Sequence, residues 1–145
     1  MSYKEVEGDL VKLAIAGEFE VIAHGCNCFC TMGAGIAPLF AKYFNADKFP
    51  LEHPSHRANY NKMGCIDSQL ESRYSKPFHV VNAYTQFSTG ASYGHIPLDY
   101  DALTLCLRKI NKVFQGKTIG LPKIGCGLAG GNWEIVKALI QKELK

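Results

Sequence analysis

The sequence predicts an α/β fold, with a largely parallel central sheet between helical layers. Three observations carry that expectation. Short stretches such as "FEVIAHG" and "PFHVVNAYTQ" are apolar without a polar face, as strands covered on both sides are. Longer stretches such as "PLDYDALTLCLRKINKVF" repeat their apolar residues at helical spacing. The two kinds alternate along the chain, which is the mark of parallel strands joined by crossover helices.

Taken in order, "YKEVEGDL" alternates polar and apolar residues and reads as a short strand ending in a Gly-Asp turn. "LVKLAIAG" reads as a helical turn stopped by Gly17. "FEVIAHG" is the first buried strand. In "GIAPLFAKYF", Ile36, Leu39, Phe40, Tyr43 and Phe44 fall at helical spacing. Pro38 sits in the first turn, where a missing N–H costs little. Residues 45–75 carry no clear periodicity, and "DSQLESRY" fits a strand or a turn. "PFHVVNAYTQ" is a strand and the polar "FSTGASYGHIP" a loop. Asp99 is placed to cap the next helix, whose apolar stripe is Leu103, Leu107, Ile110 and Phe114. "KTIGLPKIG" is a strand, and "NWEIVKALIQKELK" a final amphipathic helix.

The 145 residues suit a single domain spanning 1–145 with a core of its own. Hydrophobic residues make up 47% and charged residues 20%, which excludes a disordered chain. A net charge of +3 suits an anionic small ligand but gives no strong nucleic-acid signal. No apolar run reaches the ~20 residues of a membrane span. "MSYKEVEGDLVK" has no apolar signal core, so a cytoplasmic location with reduced thiols is expected despite an even count of six cysteines.

Two glycine-rich segments stand out, "MGAGIA" at 32–37 and "PKIGCGLAGGNW" at 122–133. Each follows a buried strand and precedes a helix. Glycine permits positive φ and close backbone approach, and the next helix start offers unpaired N–H groups, so each segment is an anion cradle in outline. Neither ends in the Gly-Lys-Ser/Thr of a nucleotide-triphosphate loop, and no dinucleotide fingerprint is present. In open α/β sheets such loops meet at the carboxyl ends of the strands.

Between the first strand and its loop lie Cys26, Cys28 and Cys30, with His24 on the same parity. Alternate spacing makes a poor tetrahedral clamp, so thiols lining a ligand loop are expected and no metal is assigned. His24 ends an apolar strand where a crevice would open, and reads either as a functional imidazole or as a satisfied buried histidine. Asn27 offers a donor and an acceptor at the loop mouth, for ribose hydroxyls or for a turn. Asp9 suits either an exocyclic amine or the cap of the following helical turn. Trp133 reads as a core residue.

Taken together, "VEGDL", "AHGCNCFCTMGAGIA", "VVNAYTQ" and "LPKIGCGLAGGNW" resemble the macro domain family. The likeness is closest to members that process ADP-ribose 1″-phosphate or remove ADP-ribose from proteins. It implies a three-layer α/β/α sandwich with a mixed, largely parallel sheet and a deep cleft for ADP-ribose. Carried over by position, it implies that Asp9 meets the adenine amine with the Leu10 amide nearby. Asn27 with Gly33, Ala34, Gly35 and Ile36 would surround the distal ribose. Gly125, Cys126, Gly127, Leu128, Ala129 and Gly130 would wrap the diphosphate. His24 becomes the candidate for acid–base work, with Asn27 beside it.

Two departures from the ADP-ribose–protein hydrolase branch are visible. "NAYTQF" holds no lysine after the third strand, and Ala129 stands where that branch has an aspartate. The leading expectation is therefore hydrolysis of ADP-ribose 1″-phosphate to ADP-ribose and phosphate, without a metal or cofactor. The alternatives are an ADP-ribosyl hydrolase acting on a macromolecule, including an ADP-ribosylated protein, and a non-catalytic ADP-ribose-binding module.

Overall fold

A computed structural model describes residues 3–29, 32, 35–49, 60–88, 97–127 and 129–145. Among them the elements are α1 (Leu10–Ile15), β1 (Val21–Asn27), α2 (Ala37–Phe44), β2 (Ile66–Glu71), β3 (Phe78–Gln86), α3 (Tyr100–Val113), β4 (Ile119–Gly120) and α4 (Trp133–Glu143). Short 3-10 turns occupy Ala46–Lys48 and Tyr60–Lys62.

The strands form one sheet in the order β2-β3-β1-β4. β1 is parallel to both β3 and β4, and β2 is antiparallel to β3. The sheet is thus mixed and largely parallel, as expected. Alternate residues of β1 and β3 feed two different cores, which is why neither strand shows a polar face. Ile22, Phe78 and Val80 pack with Val11, Phe40 and Phe44 of α1 and α2. Val21, Ala23 and Val81 pack with Ile110 and Phe114, and Ala83 with Leu103, Leu107, Val136 and Ile140 of α3 and α4. Helices therefore cover both faces.

Local chemistry sets the helix ends. The Asp9 carboxylate accepts from the Lys12 amide at 3.1 Å and starts α1. Asp99 accepts from Asp101 and Ala102 and starts α3, and Asn132 accepts from Glu134 and starts α4. Gly17, at φ 88°, donates to the Ala14 carbonyl and ends α1. The helix over 37–44 begins with Pro38 in its first turn, but only Phe40 and Phe44 of its apolar residues are buried, and Leu39 is exposed.

Three expectations need correction or sharpening. Tyr3–Glu7 form no strand: the segment lies outside the sheet, with no strand partner for its alternating residues. "DSQLESRY" resolves as the edge strand β2, in which Ser68, Gln69 and Leu70 are all exposed. The strand in "KTIGLPKIG" is only two residues long, because Pro122 and the turn at Lys123–Gly125 end it at once. No helix among the described residues is long and apolar enough to cross a membrane.

Candidate functional site

Beyond the end of β4 lies a cavity of about 730 Å³, bounded by Asp9 and Leu10 at the start of α1, Ile36 at the start of α2, Pro122 and Lys123, and Trp133 at the start of α4. Residues far apart in sequence converge here because α1, α2 and α4 all begin at this side of the sheet. The cavity runs on along the outer edge of β4, where Phe19, Ile119 and Leu144 make its walls apolar.

Asp9, Leu10 and Ile36 are thereby brought into one cavity, as a shared ligand requires. The Asp9 carboxylate caps α1, and the residue also lines the cavity. Gly35 sits at φ 66°, with open space where a side chain would be, and turns the chain into α2. Gly33, Ala34 and Cys30 lie outside the described residues.

The second glycine loop is a closed ring. The Gly131 amide donates to the Gly125 carbonyl at 2.8 Å, Gly130 to Gly127 at 3.0 Å, and Cys126 to Lys123 at 3.1 Å. Gly125 and Gly130 hold positive φ of 74° and 76°. Ala129 is buried, and its carbonyl accepts from Leu98. Leu128 lies outside the described residues. Burial pushes the Cys126 thiol up from its ordinary value, and its Sγ lies against the Ile124 carbonyl. The amides of Cys126, Gly130 and Gly131 thus hold the loop itself, which narrows the set of donors facing an anion.

His24 is not at the mouth. It has no exposed surface, its ring stacks on Phe40 at 4.0 Å, and its Nε2 lies 2.7 Å from Asn82 Oδ1. The Asn82 amide nitrogen donates to the Ala46 carbonyl at 2.9 Å, an interaction only an N–H can make. Asn82 Oδ1 is therefore an acceptor and His24 Nε2 the donor, so the ring is the neutral Nε2–H tautomer, assigned from this network. Cys26 Sγ lies 3.3 Å from the same nitrogen. Burial lowers the His24 pKa from 6.5 to about 4. Nδ1 is left as a buried acceptor with no partner among the described residues. The imidazole reads from parity alone as either functional or buried, and the structure makes it buried; direct proton transfer to a ligand at the cavity is out of its reach.

Asn27 ends β1 and is 6% exposed, paired in register with Gln86 across a local irregularity between Cys26 and Asn27. Cys26 and Cys28 pack around Tyr84 with Met32 and Phe87, so the described thiols of the first loop are packing groups. Cys26, Cys28, Cys65, Cys106 and Cys126 form no disulfide, and no metal-binding group of histidines, cysteines and carboxylates occurs among the described residues.

Sequence reasoning missed one wall of the cavity. Trp133 packs against the core of α3 and α4, as expected, but it also lines the cavity, with the Lys123 ammonium 5.6 Å from its ring. Tyr3 and Glu5 line it too. Glu5 pairs with Lys137 at 3.1 Å, and this contact holds its carboxyl below the usual range. The Asn132 cap signal before Trp133 was the available clue, because a residue opening a helix lies at the layer's end rather than its middle.

A mixed sheet covered on both faces, with a cavity where three helices begin, defines an α/β domain with a helix-lined cleft. The chain is 34% identical over 148 residues to an uncharacterised 17.5 kDa protein in the tk-vs intergenic region of Enterobacteria phage T4, covering 97% of this chain and 88% of that one. It is 27% identical to the ADP-ribose 1″-phosphate phosphatase of Candida albicans, over 94% of this chain and 90% of the other. The macrodomain of Thermus aquaticus DarG matches with a TM-score of 0.65 at 21% identity, over 96% of this chain and 87% of its own. Thermosipho africanus DarTG, solved in complex with ADP-ribose, matches with a TM-score of 0.65 at 20% identity, over 95% of this chain and 37% of its own. No family model matches the sequence. These solved structures give the chain the macrodomain fold.

Proposed function

We propose that this macrodomain binds ADP-ribose and hydrolyses ADP-ribose 1″-phosphate to ADP-ribose and phosphate. The observation that carries the reading is the convergence of Asp9, Leu10 and Ile36 on one cavity that continues to the second glycine loop through Pro122 and Lys123. The Candida albicans phosphatase relative supports the choice of reaction.

In this reading the adenine lies by Asp9 and Leu10, the diphosphate against the 125–130 loop, and the distal ribose by Asn27 and the 33–36 segment. Water attacks the phosphorus of the 1″-phosphate, the P–O bond to ribose breaks, and the sugar oxygen takes a proton. Positioning and oriented amide dipoles supply most of the rate. Asn27 orients the ribose or the water. His24 acts as a positioning residue, holding the carboxyl end of β1 against Asn82 and Phe40 in a neutral form.

The full burial of His24 favours a second reading, a module that binds ADP-ribose without turnover. Calorimetry with ADP-ribose and phosphate release from ADP-ribose 1″-phosphate separate the two. Binding together with release that falls at least about tenfold in Asn27→Ala supports the phosphatase. Binding without release supports the module. No binding at millimolar ligand overturns both.

A further inference from the structure

We infer that the segment Tyr3–Glu7 is a strap that holds the cavity shut over its ligand, hinged at Gly8 and latched by Glu5 to Lys137 of α4. The identity of that ligand rests on the ADP-ribose reading above. Tyr3, Lys4, Glu5, Val6 and Gly8 line the cavity together with Asp9, so the segment forms one of its walls. The wall has few ties to the body. Residues 3–9 are all exposed, Val6 to 61%. The segment lies outside the sheet, and among the described residues no backbone hydrogen bond joins 3–8 to another element. Ladder bonds and buried apolar contact tie a segment into the cooperative fold, and one that has little of either opens locally.

What holds the segment is a set of side-chain contacts to the first turns of α4. The Glu5 carboxylate pairs with the Lys137 ammonium at 3.1 Å, and the same ammonium lies 5.7 Å from the centre of the Tyr3 ring. Lys137 sits one helical turn beyond Trp133, which lines the cavity. Lys137, with lesser help from Trp133 and Lys123, holds the Glu5 carboxyl below its usual range, so the latch is charged. At the other end the chain is fixed. Gly8 has φ 153°, and a Cβ there would fall 2.9 Å from the Leu13 side chain. Asp9 then caps α1 through the Lys12 amide. Motion of the strap thus begins at Gly8, with α1 as its anchor.

A latch of this kind is weak and reversible. An exposed ion pair adds little stability and is screened by salt, whereas the strands behind the cavity are bound by ladders. The strap runs directly into Asp9, beside which the adenine is placed, so a ligand there leaves when the strap swings away. The Glu5–Lys137 pair therefore governs release, and release quickens as salt rises.

Trp133 is the only tryptophan of the chain, so its fluorescence reports on this wall. The test measures acrylamide quenching of the free protein and the dissociation rate of ADP-ribose by stopped flow. It uses wild type, Glu5→Gln, the exchanged pair Glu5→Lys with Lys137→Glu, and Lys112→Gln, an exposed lysine of α3. Glu5→Gln is expected to raise both quantities about threefold, and the exchanged pair to return both towards wild type. Lys112→Gln behaves as wild type. In wild type about 0.5 M NaCl reproduces the rise, while Glu5→Gln gains nothing further from salt. Unchanged quenching or unchanged dissociation in Glu5→Gln overturns the inference and leaves ADP-ribose binding standing. An exchanged pair as open as Glu5→Gln overturns the latch as well. If wild type binds no ADP-ribose, that reading falls and quenching decides the strap: a rise in Glu5→Gln supports it, and no rise overturns it. If Glu5→Gln does not fold, the salt response of wild-type quenching decides in the same way.

Discussion

The two glycine-rich segments look alike as strings of letters and are built for different reasons. The first turns at Gly35, where φ is 66° and the space around a would-be side chain is open. Only backbone conformation demands glycine there. The second is closed by the Gly131–Gly125 hydrogen bond and packed under Leu98. A Cβ on Gly131 would meet the Leu98 side chain and fall 2.6 Å from the Gly125 carbonyl oxygen. One loop is a hinge of shape and the other a packed ring. Composition cannot separate them, because both uses select the same residue.

The strand beneath the first loop carries the largest expected effect. Unfolded, His24 takes up a proton near its ordinary 6.5, whereas in the fold its pKa is about 4. The unfolded state thus binds more protons between these values, and stability falls as pH drops through that window. The loss reaches about 3 kcal/mol by pH 4, and urea titrations across the range measure it. His24→Phe removes this component of the pH dependence. A variant with the wild-type slope would show that the burial is not what makes the strand acid-sensitive.

Substitution at the loops sharpens the contrast. Gly131→Ala is expected to cost about 2 kcal/mol or more by forcing backbone and Leu98 apart, and to weaken ADP-ribose binding with it. Gly35→Ala costs about 1 kcal/mol from the left-handed backbone alone, with no steric addition. Equal losses in thermal melts would erase the distinction between the loops. The smallest stability effect belongs to Asp9→Asn, because asparagine caps a helix as well as aspartate does. Its change should stay within about 0.5 kcal/mol. ADP-ribose affinity should nonetheless fall about tenfold, by losing the charged acceptor for the adenine amine. Unchanged affinity in that variant would confine Asp9 to capping α1.

Legibility followed the physics of each element. β1 and β3 are central strands with two covered faces, so their apolar runs were unambiguous. α3 was legible for its Asp99 cap and its buried stripe of Leu103, Leu107 and Ile110. β2 was ambiguous because an edge strand has one solvated face and one strand neighbour, and its sequence pattern weakens accordingly. Tyr3–Glu7 have the alternation of a strand, but pairing needs a partner edge, and alternation says nothing of that. Asp9, Leu10 and Ile36, singled out by motif and position, line the cavity, and so does Trp133, which the sequence suggests for the core. That Trp133 reaches the cavity wall depends on elements distant in the chain.

By itself the sequence determined the class of fold, the two glycine loops and the caps that begin α1 and α3. Those properties arise from neighbours a few residues apart, through periodicity, φ preference and side-chain-to-backbone hydrogen bonds. Tertiary structure alone decided that His24 is neutral and enclosed, since its environment is Phe40 of α2 and Asn82 of β3. It also decided that Asp9, Ile36 and Trp133 line one cavity. Burial and convergence are set by segments that meet only when the chain has folded, and desolvation then fixes the charge state of what they enclose.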